Sequence, residues 1–302
     1  MIYDYKLSKK AYAKINLFLD VVGKRDNGYH DISSIMQTIS IYDDISLTIA
    51  PGEGNTRIIC DDSSLPTDEN NILSKAVAKF KSYTNKEFTA SFEVKKNIPV
   101  SAGLGGGSAD GAAAIMLLNE LTEADLSHEQ LVKIASMVGA DLPFLLYGGT
   151  AITEGIGEII TPIINNSSLY LVVAKKKSGV STVWAYNELD KAYNDFKPNS
   201  YSPKQQKCIS LTEGLSRNDN NLIVDNIFNI FEDTIGTVNK DVPELKKSMN
   251  DAGAIASMMS GSGPSVFGLF KCEEVANRCA ALLNSKDTTA FSCKFVKSGE
   301  NI

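Results

Sequence analysis

The densest chemical signal in the chain is Pro99-Val100-Ser101-Ala102-Gly103-Leu104-Gly105-Gly106-Gly107-Ser108-Ala109-Asp110. Five glycines fall between Gly103 and Gly111, directly before the run Ala112 to Leu121, which is apolar nearly all round and reads as a buried helix. Bare backbone N–H groups at a positive helix end form an anion site, and phosphate is its natural ligand. One such contact is worth about 0.3–1 kcal/mol at an exposed helix end and up to about 2 kcal/mol when partly buried. Several converging amides can therefore offset an unfavourable global charge.

Three phosphate-binding chemistries compete for this pattern. A P-loop needs Lys-Ser/Thr after its last glycine to reach the terminal phosphates and Mg²⁺, and here Ser108-Ala109-Asp110 follows instead. A dinucleotide fold needs the glycines straight off a parallel strand and an acidic residue ending the next strand. Here Pro99 interrupts the strand, and Glu120 to Asp125 lies in helix or the turn after it. A glycine-rich turn serving packing alone is the bland alternative, and the number of glycines with Ser108 at the helix start favours phosphate. Ser108 itself has two open readings: an oxygen for Mg²⁺ or phosphate, or a plain N-cap.

Other groups are candidates by type and spacing. Ala11 to Val22 alternates, with Ala13, Ile15, Leu17, Leu19 and Val21 on one side and Tyr12, Lys14, Asn16, Phe18 and Asp20 on the other. It reads as a strand with one face buried, putting Lys14 and Asn16 on the same side about 7 Å apart. Asp141-x-Pro143 reads as a helix start with Asp141 as N-cap at a positive helix end. The plain alternatives are a capping Asp141 and a solvated strand Lys14. Tyr29-His30, after the turn Asn27-Gly28, offers an aromatic face beside a donor and an acceptor, a pairing suited to a pyrimidine but also common at ordinary turns. His128 lies in a capping segment and gets no role. Two histidines without clustered cysteines argue against structural zinc.

These groups need elements to hold them. Beyond the first strand, the pattern predicts a polar turn at Asp43 and Asp44, a strand over Ile45 to Ala50, and turns through 51–71 that end at Asn70 or Asn71 capping a helix to Tyr83. A strand Phe88 to Val94 precedes the glycine loop. Ser127-x-x-Gln130 is a capping box opening a helix Leu131 to Val138, which Gly139 ends in a left-handed turn. Thr150 to Ile164 reads as a hairpin and Leu169 to Ala174 as a buried strand. Residues 193–221 read as a long, partly mobile connection. After it come a helix near Glu244 to Ala252, the turn Ser260-Gly261-Ser262-Gly263-Pro264, strands Ser265 to Phe270 and Phe291 to Val296, and a helix Glu273 to Leu283 between them. The mixture is α+β, and 302 residues favour two domains, 1–160 and 161–302.

A net charge of −6 argues against nucleic acid as a partner, because that binding needs a broad basic surface. Scattered cysteines without a C-x-x-C pair read as reduced thiols, and the first ten residues lack an apolar signal core. No run approaches eighteen apolar residues. The expectation is a cytoplasmic protein with no membrane association and no obligate protein partner.

The loop from Pro99 to Asp110 resembles the ATP loop of the galactokinase, homoserine kinase, mevalonate kinase and phosphomevalonate kinase (GHMP) superfamily. Ala13-Lys14-Ile15-Asn16-Leu17 resembles its first motif and Ser260-Gly261-Ser262-Gly263-Pro264-Ser265 its third. Ala11 to Phe18, Gly28-Tyr29-His30, Gly139 to Phe144 and Gly179-Val180-Ser181-Thr182 resemble, in order, the blocks of its branch acting on a cytidyl-linked methylerythritol. The likeness spans nearly the whole chain. It implies a two-domain GHMP kinase fold, ribosomal protein S5-like then ferredoxin-like. It also implies an ATP- and Mg²⁺-dependent kinase acting on that substrate's 2-hydroxyl in non-mevalonate isoprenoid (terpenoid) synthesis. By resemblance Asp141 is the base and Lys14 its partner, Pro99 to Ala109 hold ATP, and Ser108 is the candidate Mg²⁺ contact. Asn16, Tyr29, His30, Thr182 and Tyr186 fall to the substrate, with Tyr186 as the second stacking face. Two departures stand out: Gly111 replaces a usual alanine, and Lys175-Lys176-Lys177 replaces a proline-containing approach to Gly179.

Overall fold

A computed structural model describes residues 5–177, 179–193 and 203–299. Its strands are β1 (Lys6–Lys24), β2 (His30–Pro51), β3 (Arg57–Cys60), β4 (Phe88–Lys95), β5 (Thr150–Gly155), β6 (Ile159–Pro162), β7 (Tyr170–Lys176), β8 (Phe228–Asn229), β9 (Ala256–Met259), β10 (Val266–Phe270) and β11 (Thr288–Lys294). The helices are α1 (Ile72–Thr84), α2 (Gly106–Leu121), α3 (His128–Ser136), α4 (Leu142–Tyr147), α5 (Thr182–Tyr193), α6 (Pro203–Arg217), α7 (Asn220–Asn226), α8 (Ile235–Val238), α9 (Asp241–Asp251) and α10 (Glu273–Leu283).

Two sheets organise them. The first runs β3-β4-β2-β1-β8, with β5 on the other part of β2 and β6 beyond it; the second runs β11-β7-β10-β9. The length of β2 makes the first arrangement possible: residues 32–37 pair with β5 while residues 44–51 pair with β4. Strand pairing also joins the two parts of the chain. The short β8 pairs in parallel with β1 at Phe18 and Leu19, and Ile39 of β2 bridges Phe295. No helix among the described residues is long and apolar enough to cross a membrane.

Several sequence expectations are corrected. β1 is buried on both faces at its centre, including Lys14, Asn16, Phe18 and Asp20. The polar face is covered because Lys204 of α6 reaches Asp20, while the stem of Lys14 packs on Gly105. No turn forms at Asp43 and Asp44; β2 continues through them, and buried Asp43 finds its partners in the segment before the glycine loop. The capping box at Ser127 is present, but α3 spans 128–136 and Gly139 is not left-handed. Gly139 is small for another reason: a Cβ there would lie 2.9 Å from Leu142. Within 193–221, residues 194–202 lie outside the described residues, while α6 and the start of α7 replace the expected connection. The helical repeat that buries Cys208, Leu211 and Leu215 was masked by flanking Lys, Gln and Asn.

Gly111 has a packing reason. A Cβ there would meet Leu142 Cδ2 at 2.9 Å and Ile72 Cγ1 at 3.1 Å, so an alanine would require these side chains of α4 and α1 to shift. In the capping box, Ser127 accepts the Gln130 N–H and Gln130 returns a bond to the Ser127 N–H. Ser127→Ala is expected to cost about 1 kcal/mol. A thermal melt of the variant checks this, and an unchanged midpoint would contradict it.

Candidate active site

The glycine loop, β1 and the start of α4 enclose a cavity of about 490 Å³, closed on its far side by α5 and the 260–264 turn. Pro99 to Ser108 all line it; Ala109 does not, being buried in the helix core. The loop is bolted to β1 by the Lys14 N–H, which donates to Leu104 O at 2.9 Å. Glycine is required at two positions. Gly103 has φ +72° and a Cβ there would sit 2.6 Å from Ser260 O; Gly105 has φ +70° and would press on the Lys14 stem at 3.0 Å. Gly105 is the N-cap of α2, which puts Ser108 inside the first turn. The N-cap reading of Ser108 is therefore overturned, and its half-buried side chain stands in the cavity wall.

Lys14 and Asp141, 127 positions apart in sequence, meet here: Nζ to Oδ2 is 3.3 Å. Lys14 Nζ also donates to Asn16 Oδ1 at 2.9 Å. The Asn16 amide is fixed in turn, because its Nδ2 donates to Ser34 Oγ, which donates to Phe18 O. Asp141 occupies the N-cap position of α4, yet its side chain makes no capping bond. Its carboxylate is left for Lys14 and the cavity.

A buried charge cluster that sequence reasoning missed lies beneath the loop. Lys96 pairs with Asp43 and, at 2.6 Å, with Asp110 Oδ2. Asp43 Oδ1 also accepts the N–H groups of Asn97 and Ile98, at 2.6 and 2.8 Å. The two ends of the loop are thus drawn together. Burial pushes the Asp110 carboxyl up to about 8 against the pull of Lys96, with Asp43 adding to the rise. Burial pulls the Lys96 ammonium down, but the two carboxylates outweigh it and leave it raised. A second cation missed from sequence is Lys175, whose Nζ donates to Val100 O at 2.6 Å. Lys176 goes instead to Glu244 and Asp241, and Lys177 to Asp287. No local pattern announces these pairings, since each joins residues far apart in sequence.

Thr182 Oγ1 lies 3.1 Å from Ser262 Oγ, and both residues line the cavity. Tyr186 lines it too; burial, with the Asp141 carboxylate adding, pushes its phenol upward. The ring expected to offer a second stacking face is packed within the protein. The Tyr186 ring stacks on His30 itself, with centroids 4.8 Å apart, so no slot for a pyrimidine exists between them. His30 Nε2 is 2.7 Å from Asp190 Oδ1, and Tyr29 is 59% exposed beside it. Neither Tyr29 nor His30 belongs to the cavity wall.

A glycine loop at a helix start, facing an ammonium and a carboxylate across a cavity, is the arrangement of a small-molecule phosphotransferase. Two family descriptions match the chain: GHMP kinases N terminal domain over residues 71–149, and GHMP kinases C terminal over residues 211–286. The protein is a small-molecule kinase of this class, and the class uses a nucleotide. The 4-diphosphocytidyl-2-C-methyl-D-erythritol kinase of Clostridium novyi is 40% identical over 92% of this chain and 95% of its own length. That of Clostridium botulinum (strain Hall) is 41% identical over 93% and 97%. A solved 4-(cytidine 5'-diphospho)-2C-methyl-D-erythritol kinase superposes with a TM-score of 0.77 at 26% identity, over 96% of this chain and 99% of that one. Mevalonate kinase from L. major superposes with a TM-score of 0.78 at 17% identity, a likeness of fold, over 99% of each chain. The chain belongs to the 4-diphosphocytidyl-2-C-methyl-D-erythritol kinase family of the GHMP kinases.

Folded Asp110 keeps its proton to about 8, whereas an unfolded Asp releases it at about 3.9. Between those values the folded chain binds the extra proton, so this group's contribution makes stability fall as pH rises. Asp110→Asn is expected to flatten that fall in urea melts between pH 5 and 8. An unchanged slope would contradict the assignment.

Proposed function

We propose that this chain transfers the γ-phosphoryl group of ATP to the 2-hydroxyl of 4-diphosphocytidyl-2-C-methyl-D-erythritol, releasing ADP and the 2-phosphate, in non-mevalonate isoprenoid precursor synthesis. The observation that carries the reading is the Lys14–Asp141 pair facing the glycine loop. Phosphoryl transfer has little covalent work for the protein; it needs the acceptor aligned, charge on the transferring group neutralised, and a destination for the hydroxyl proton. The amides of residues 103–108 cradle the phosphates. Lys14, aimed by Asn16, neutralises charge on the transferring group, and Asp141 takes the hydroxyl proton.

The donor set suits Mg²⁺: Ser108 hydroxyl and Asp141 carboxylate line one cavity, and Mg²⁺ takes few protein oxygens beside phosphates and water. Ser108 would hold it, and the ion would supply charge neutralisation between the phosphates. No cluster of three metal-ligating side chains occurs among the described residues, so the ion would rely on the nucleotide for most of its ligands. The substrate side falls to Thr182, Tyr186 and Asn16, with Tyr29 and His30 at the outer rim. The division proposed at 160/161 falls inside β6, the last strand of the first sheet before β7 opens the second, and β8 returns from the second part to pair with β1. A cytoplasmic setting fits the free cysteines.

ADP release is expected to require both Mg²⁺ and the cytidyl-linked alcohol. Turnover with mevalonate or homoserine but not with that alcohol would refute the substrate assignment. Asp141→Asn is expected to retain ADP binding in calorimetry while kcat falls roughly 10²–10⁴-fold. Full turnover in the variant would remove Asp141 from the mechanism.

A further inference from the structure

Asn229 is 3% exposed, stands outside the cavity wall, and belongs to none of the motifs that mark the site. All its hydrogen-bonding groups in the interior are engaged. Nδ2 donates to Met259 O at 2.7 Å and to Gly261 O at 2.8 Å, while Oδ1 accepts the Phe231 N–H at 3.0 Å. Two carbonyls on one side and an N–H on the other leave one orientation of the amide.

Its place in the fold gives these bonds their meaning. Asn229 sits in β8, in register with Leu19 of β1, the strand that carries Lys14 and Asn16. Its two donors hold the strand end and glycine turn at 259–261. That turn abuts the phosphate loop: Ser260 Oγ donates to Gly103 O at 3.3 Å, and Gly261 has φ +59° and room for no Cβ without approaching Gly103 O to 3.1 Å. Its acceptor fixes Phe231, whose ring lines the cavity and meets Tyr186 edge-on at 4.9 Å. One neutral amide thus joins the strand of the ammonium, the turn behind the loop and an aromatic wall. A capping role for the short turn at 230–233 would use Oδ1 alone; the paired donors serve the glycine turn.

We propose that Asn229 is a positioning residue for phosphoryl transfer, registering the 260–264 turn and Phe231 against the strand of Lys14. It stands outside the cavity wall and would act through the residues it holds. The inference rests on the kinase reading of the cavity, because its effect is on the alignment of groups across that cavity. Misplacement of reacting groups by about 1 Å costs on the order of a hundredfold in rate. Asn229→Leu keeps the volume and leaves the carbonyls of Met259 and Gly261 unpaired, freeing the turn to shift.

The test is steady-state kinetics of Asn229→Leu, Gly261→Ala and the double variant, each normalised to ADP-binding sites counted by titration. The expected result is a kcat lower by roughly a hundredfold, with KM for ATP and for the alcohol moving much less. A purely structural role would lower the number of sites and leave kcat per site intact. Because both changes act through one turn, the double variant should lose no more than the worse single. An intact kcat per site, or a double-variant loss equal to the product of the two single losses, would overturn the proposal. Should Asn229→Leu not fold, Asn229→Ser, which retains one hydroxyl donor, carries the same test. Asp141→Asn run alongside separates the two claims. Turnover lost there but kept in Asn229→Leu refutes this inference alone; turnover kept in Asp141→Asn refutes it together with the site.

Discussion

Lys14 is the residue through which the site is held together, and it acts with both its main chain and its side chain. Its N–H binds the carbonyl of Leu104, fixing the phosphate loop to the central strand. Its ammonium is held by Asn16 and faces Asp141. A buried ammonium is costly unless it is paired and hydrogen-bonded. The surrounding structure meets that requirement with a relay through Ser34 to the carbonyl of Phe18. The conditions that make the lysine tolerable in the interior are the same ones that aim it at the cavity.

The loop shows the same economy. It is clamped from below by Asp43, Lys96 and Asp110, and from the second sheet by Lys175 on the carbonyl of Val100. Gly103 and Gly105 are the points of closest approach, to the 260–264 turn and to Lys14. With the loop's ends held and Gly103 and Gly105 in close contact with their neighbours, the loop is shaped before any anion arrives. Such preorganisation is how a protein of net charge −6 can hold a polyanion.

What the sequence disclosed follows the range of the interactions involved. The glycine loop, the Ser127 capping box and the hairpin at residues 150–164 were legible because their causes lie within a few residues. Lys14 and Asp141 were distinguishable from a solvated lysine and a plain cap only through the family likeness; their pairing is a product of the fold. The Asp43 cluster was invisible for the same reason, and Asp43 was misread as part of a polar turn because its partners Lys96, Asn97 and Ile98 lie 53 to 55 positions away. Ser108 was placed one turn early, since glycine and not serine caps α2. The substrate side was the least legible. Whether Tyr186 stacks on a ligand or on His30 depends on side-chain packing between β2 and α5, which no spacing rule encodes.

The central claim is that loop, ammonium and carboxylate form one site. The most direct measurement is a crystal structure with a non-hydrolysable ATP analogue and the cytidyl-linked alcohol bound together. The account predicts β- and γ-phosphates on the amides of residues 103–108, with the acceptor 2-hydroxyl within hydrogen-bond reach of Asp141 and the terminal phosphate beside Lys14. Phosphates bound away from the loop, or an acceptor hydroxyl out of reach of Asp141, would contradict it.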